Sequence, residues 1–111
     1  MPSAPHLTAE QRAAALVEAA VARSVRAAAR AELKAGRLDL AGLLDRSADD
    51  PRLAAMRVSA LVESLPGYGP VRSAALLAEL RIAESRRIRG LGPKQRAALL
   101  TRIEQTAQSQ P

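Results

Sequence analysis

Bulky aromatic side chains are almost missing from this sequence: 111 residues include one Tyr and neither Phe nor Trp. Any core must be assembled from Leu, Ile, Val, Met and Ala, and it will be thin. Ala and Leu dominate while β-branched residues are sparse, a balance that favours helix over strand almost everywhere. The length suits one compact domain and is too short for two ordinary ones. The expectation is all-α: a long N-terminal helix followed by a small bundle of short helices.

Caps and breakers mark out those helices. Residues 1–7 read as a flexible leader. Thr8 offers an N-cap, and Gln11 three positions on completes a capping box. Nothing interrupts the run from Ala9 to about Ala35, where Gly36 supplies a stop. Its larger apolar residues are only Leu16, Val17, Val21, Val25 and Leu33, so one face can dock without deep burial. Leu38 to Arg46 predicts a short amphipathic helix, with Leu40, Leu43 and Leu44 inward. Asp49 or Asp50 before Pro51 starts another. Val58 to Ser64 is spaced as one more, followed by a helix from Pro70 to about Leu80. A loop covers 81–85, and a last helix runs from about Lys94 to Thr106. Residues 8–36 are thus the long helix, 37–107 a helical domain and 108–111 a flexible tail. Met56, Leu61, Leu65, Leu76, Leu77, Leu80, Leu91, Leu99, Leu100 and Ile103 are the expected core.

Two segments echo one another. Gly67-Tyr68-Gly69-Pro70-Val71-Arg72-Ser73-Ala74-Ala75-Leu76-Leu77 aligns with Gly90-Leu91-Gly92-Pro93-Lys94-Gln95-Arg96-Ala97-Ala98-Leu99-Leu100, and seven of the eleven positions are identical. Each is a glycine turn opening a helix, and the two are expected to lie close together. The first, Leu65-Pro66-Gly67-Tyr68-Gly69, has the pattern of a helix-hairpin-helix. Such a turn exposes backbone N–H groups at a helix N-terminus, where free donors and the dipole favour phosphate. Contacts of this kind read backbone and shape, not base sequence. A plain connector between packed helices is the other reading, and Pro70 removes one N–H that could have donated.

Charge points the same way. The net charge is +6; residues 1–50 are balanced, so the whole excess lies in 51–111. Such asymmetry fits a polyanionic partner, nucleic acid or anionic lipid. Arg86, Arg87, Arg89, Lys94 and Arg96 stand against Glu84 alone over thirteen residues. A run of this kind is often a solvated face, but here it leads into the second glycine turn. Arg is also suited to bidentate phosphate contact and to the minor groove. On the first helix Arg23, Arg26, Arg30, Lys34 and Arg37 step by three or four and share a face. That stripe either follows a nucleic-acid backbone or is solvated, and Glu18 and Glu32 dilute it.

Other chemistries find little footing. There is no Cys, and the single His6 has no second His with which to hold a metal. Pairing Glu63 with Glu79 or Glu84 as catalytic acids leaves no partner to complete a site. No stretch approaches the roughly 20 apolar residues of a membrane span, and the start lacks the features of a secretory signal. The expectation is a binding protein of the cytoplasm, not an enzyme, with no cofactor, no small-molecule substrate and no membrane partner. Single-stranded RNA would want aromatic stacking surfaces that are lacking. Structured RNA stays open as an alternative, as does a protein- or membrane-surface role for residues 9–35.

The segments Val58 to Gly69 and Glu84 to Gly92 resemble the actinobacterial integration host factor family, and the start at Thr8 with its Ala-rich helix is similar too. A looser likeness is to the helix-two-turns-helix domain of certain ribosomal proteins and DNA-repair glycosylases. The resemblance implies a nucleoid-associated, monomeric protein that binds and bends or compacts double-stranded DNA with little sequence preference. It would do so through phosphate backbone and minor groove, supporting integrative recombination and influencing transcription. Carried onto this chain, the DNA-binding turn comprises Ser64, Leu65, Pro66, Gly67, Tyr68, Gly69, Val71 and Arg72. The following lid comprises Ser85, Arg86, Arg87, Arg89, Gly90, Gly92 and Lys94, with Arg57 alongside. Pro70 stands where the family usually has Lys, Ala55 where it has a basic residue, and Tyr68 where it has Val. Tyr68 is expected to pack across the turn, with a wedge into the minor groove as the alternative.

Overall fold

A computed structural model describes residues 7–109, and it is helical throughout as expected. The helices are α1 (Ala9–Lys34), α2 (Leu40–Ser47), α3 (Pro51–Ala54), α4 (Val58–Ser64), α5 (Pro70–Glu79) and α6 (Pro93–Ser109), with one 3-10 turn at Ile88–Gly90. No strand occurs among the described residues; one isolated antiparallel bridge joins Arg57 and Arg87. The leader up to His6 and residues 110 and 111 of the expected tail lie outside the described residues.

Local chemistry sets most boundaries. At the start of α1 the Gln11 amide donates to Thr8 Oγ1 at 3.0 Å, and the Thr8 amide donates to Gln11 Oε1 at 2.8 Å. At its end Gly36 turns left-handed, φ 75°, and the Arg37 amide reaches back to the Glu32 carbonyl at 3.0 Å. This is a Schellman stop. Helix α2 begins at Leu40, two residues later than its apolar pattern predicts, because Asp39 caps it by accepting from the Gly42 amide at 2.7 Å. Asp50 caps α3 with Pro51 in its first turn. Helix α6 starts at Pro93 and continues to Ser109, past the expected end at Thr106. No Gly or Pro interrupts that stretch, so the helix propagates.

The end of α5 has no glycine, and the sequence gives no sign of its geometry. Arg81 takes the left-handed conformation, φ 59°, while the Ile82 amide donates to the Leu77 carbonyl at 2.9 Å. It is the same Schellman stop, held by burial: Ile82 is 3% exposed and Leu77 fully buried. A left-handed non-glycine residue costs about 1–2 kcal/mol, and the apolar contact across the stop offsets it.

The core gathers Leu33, Leu40, Leu43, Leu44, Leu61, Val62, Leu77 and Leu99, all essentially inaccessible. Of the expected core, Met56, Leu61, Leu65, Leu76, Leu77 and Leu99 are buried; Leu80, Leu91, Leu100 and Ile103 are half-buried and pack against it. Helix α4 sits between α1 and α5. Helix α1 docks only through its C-terminal half. Ala29 and Leu33 are buried, whereas Leu16 is 71% exposed and Val17 64%. Arg52 ties Glu18 to the bundle through two hydrogen bonds, at 2.7 and 2.9 Å. The bond from Arg52 holds the Glu18 carboxyl below its usual range.

Candidate nucleic-acid interface

The first glycine turn joins α4 to α5. Gly67 has φ 83°, a left-handed conformation that only glycine adopts without strain. The Tyr68 amide then closes the turn on the Leu65 carbonyl at 3.1 Å. Gly69 is the N-cap of α5, Pro70 opens it, and no side chain caps it. An uncapped helix start leaves its first amides without intrahelical partners. Pro70 removes one of these; those of Val71 and Arg72 remain, and the Val71 side chain is 86% exposed. Arg72 donates to the Gly67 carbonyl at 2.8 Å, and its guanidinium lies over the Tyr68 ring at 4.6 Å. Tyr68 is half-buried against the core, so it packs across the turn. Leu65 is itself buried; its side chain serves the core.

The second glycine turn opens α6 in the same register. The Ser73 amide donates to the Gly69 carbonyl at 2.9 Å and the Arg96 amide to the Gly92 carbonyl at 2.8 Å, matching positions of the sequence echo. At the start of α6, however, a side chain folds back on the preceding glycine. The Gly92 amide donates to Gln95 Oε1 at 3.2 Å. The sequence echo led to the expectation that the two turns lie close together, but their neighbours differ. The first shares an apolar hollow with Ile103, Thr106 and Ala107 near the end of α6, whereas the second opens that helix at Pro93. From Pro93 to Ile103 is about 15 Å of helix. A helix of this length separates what its sequence repeats.

The lid between α5 and α6 is stitched down, not loose. The Val58 amide donates to the Arg86 carbonyl and the Ile88 amide to the Met56 carbonyl, both at 2.9 Å. This sets Arg57 and Arg87 side by side across the bridge. Arg87 donates to the Ala55 carbonyl at 2.6 Å and Arg86 to the Gly90 carbonyl at 3.0 Å. Ser59 Oγ reaches the Glu84 carbonyl at 3.2 Å. Ile82 and Ile88, neither of them foreseen as core, bury themselves at 3% and 8% exposure and pin the segment from beneath.

These pieces meet on one face. Arg57 and Arg87 border a depression with Arg26 and Arg30 of α1, together with Met56 and Ala60. Arg30 and Ala60 also border the adjoining depression, with Lys34, Glu63, Ser64 and Pro70 at the start and end of the first turn. Arg87 borders a third with Ser85, Arg86, Arg89 and Gly90. The lid and the two residues flanking the glycine turn, Ser64 and Pro70, therefore border one chain of depressions, a trough, while Leu65, Pro66 and Tyr68 border the apolar hollow near the end of α6 and Gly67, Gly69, Val71 and Arg72 border none of these. Gly92 and Lys94 border none of the three depressions; they sit at the start of α6. The row on α1 was visible in the sequence as a stripe, but its place opposite the lid was not. Only the packing of α1 on α4 supplies it.

Acidic partners are distributed unevenly. Among the described residues four arginines form ion pairs: Arg46 with Glu32, Arg52 with Glu18, Arg96 with Asp45 and Arg102 with Glu79. None of these arginines borders the trough. Among the described residues, Arg26, Arg30, Lys34, Arg57 and Arg89 have no ion pair, which leaves them for an outside anion.

The order of helices and turns defines a class: residues 33–103 match the S13-like H2TH domain family. The integration host factor of Mycolicibacterium smegmatis is 48% identical over 92% of this chain and 97% of its own length. That of Mycobacterium tuberculosis is 49% identical over 89% and 94%, and that of Streptomyces coelicolor 47% over 86% and 89%. The chain thus belongs to the integration host factor family of actinobacteria. A solved structure of sIHF bound to an 8-bp palindromic DNA superposes with a TM-score of 0.75 at 41% identity, covering 77% of this chain and 96% of that one.

Proposed function

We propose that this protein binds double-stranded DNA through its phosphate backbone, the first glycine turn and the arginine lid holding the duplex from adjacent sides of the trough. One observation carries the reading: Pro70, at the uncapped start of α5, borders a depression that adjoins the one lined by arginines without ion pairs among the described residues. Amides at α5 would take a phosphate as an anion at a helix N-terminus. Arg57, Arg87 and Arg89 would supply charge-assisted contacts beside it, within reach of a minor groove. Contacts of this kind read backbone and shape, so recognition would be sequence-tolerant. The kinship with integration host factors, and with a relative solved on DNA, favours DNA over structured RNA. Duplex bending or compaction, a nucleoid location and action as a monomer extend the same reading. The role is architectural binding, not catalysis.

A gel-shift titration with a random-sequence duplex at two salt concentrations tests this. Neutralising about four to six phosphates gives a slope of log affinity against log salt near −4 to −5. Affinity without salt dependence would overturn the reading. Arg86→Glu with Arg87→Glu abolishes binding while helicity stays intact. Since Arg87 also holds Ala55, Arg57→Glu is the cleaner second variant, because the Arg57 side chain makes no hydrogen bond among the described residues. Retained binding by both variants would remove the lid from the interface.

A further inference from the structure

The C-terminal half of helix α1 packs on α4 and also brings a row of cations to the proposed DNA face. Arg26 is half-buried and Arg30 exposed, with Lys34 continuing the row. Successive members are four residues apart, a rise of about 6 Å, and so they lie on one side of the helix. That side borders the trough opposite the lid: Arg26 and Arg30 face the same depression as Arg57 and Arg87. Four guanidinium groups around one hollow repel one another. Among the described residues no carboxylate borders that hollow, and none of the four is ion-paired. The carboxylates of α1 nearest this row, Glu18 and Glu32, pair instead with Arg52 and Arg46.

We infer that Arg26 and Arg30 form a third wall of the DNA-binding surface, closing with Arg57 and Arg87 on the phosphates of one strand while the first turn holds the same backbone beyond. The inference rests on the duplex-binding reading above and deepens it. It narrows the stripe seen in the sequence. Arg23 and Arg37 border none of the trough's depressions, and Lys34 borders only the one that holds Glu63, whose negative charge opposes a phosphate, whereas Arg30 also borders the hollow without a carboxylate. Arg26 and Arg30 therefore carry the contact. Guanidinium forks suit this better than ammonium groups, since each can hold two phosphate oxygens at once.

The test is Arg26→Ala with Arg30→Ala in the full chain, set against Arg37→Ala with Arg81→Ala, which remove equal charge outside the trough. Affinity for a random-sequence duplex is measured by fluorescence anisotropy across a salt series. Losing two phosphate contacts makes the log–log slope shallower by about 2, and binding at 0.1 M salt weaker by about tenfold to a hundredfold. Helicity is preserved because Ala is the best helix former. The control pair is expected to leave the slope almost unchanged. The inference is overturned if the α1 pair keeps the wild-type slope and affinity, or if the control loses as much, which would mean net charge alone. In either case the lid variants still report on the broader reading. Failure of the wild-type protein to bind duplex would overturn both.

Discussion

The two glycine turns begin from nearly the same sequence and end with different duties. Both open a helix with Gly-x-Gly-Pro, and both glycine carbonyls, at Gly69 and Gly92, accept the first helical hydrogen bond. At the first turn Gly67 is left-handed and α5 starts with no capping side chain. At the second no glycine is left-handed, and Gln95 folds back to cap Gly92. The residue aligned with Gln95 in the first turn is Arg72, which cannot accept a hydrogen bond and instead braces the Gly67 carbonyl. One position makes the difference: an acceptor at 95 takes up the amide of the glycine that precedes α6, whereas the cation at 72 braces a carbonyl of its own turn instead.

The strongest way to break this contrast is Gly69→Asp. Its Cβ would meet nothing within 4 Å, and its carboxylate would cap α5 while adding negative charge at the turn. Stability is expected to rise by a few tenths of a kcal/mol while duplex affinity falls by about tenfold or more, roughly 1.4 kcal/mol per decade. Chemical denaturation and anisotropy on one sample separate the two effects. Unchanged affinity would mean the α5 amides take no part.

A second comparison asks about backbone alone. Gly67→Ala forces a left-handed alanine and is expected to cost about 1–2 kcal/mol. Gly90→Ala meets only the flexible Arg86 side chain, at 3.4 Å, and should stay within about 0.5 kcal/mol of wild type. Urea midpoints measure both, and equal losses would erase the distinction.

The smallest expected effect sharpens the picture most. Gln95→Ala removes the second cap at a cost of about 0.5 kcal/mol, the low end for such caps. Duplex affinity is expected to hold. An increase would show that the second turn becomes an anion site once its amide is released.

Much of this was legible locally. Thr8 with Gln11, Gly36, Asp50 before Pro51, and Gly69 before Pro70 each mark a helix boundary by a residue whose chemistry works within one turn of chain. What stayed hidden depends on partners distant in sequence. Arg81 closes α5 without glycine because Ile82 and Leu77 bury together, a bargain no composition rule anticipates. Ile82 and Ile88 read as loop residues amid charge, yet they anchor the lid. The echo suggested adjacent turns, but the straight run of α6 holds them apart. Of the candidate interface, the turn and the lid arginines were readable as types; the α1 row acquired its place only from the way α1 crosses α4.

Helix α1 is held by packing at one end and by its own hydrogen bonds at the other. Every residue from Ala9 to Ala20 is exposed, and Glu18 marks the last ion pair to the bundle. A dozen residues of helix are marginal alone in water, so these amides should exchange with solvent far sooner than those near Leu33. The protein carries a template at Leu33 on which the outlying turns are repeatedly rewound, and the reach of that arm is a time average set by how often they open.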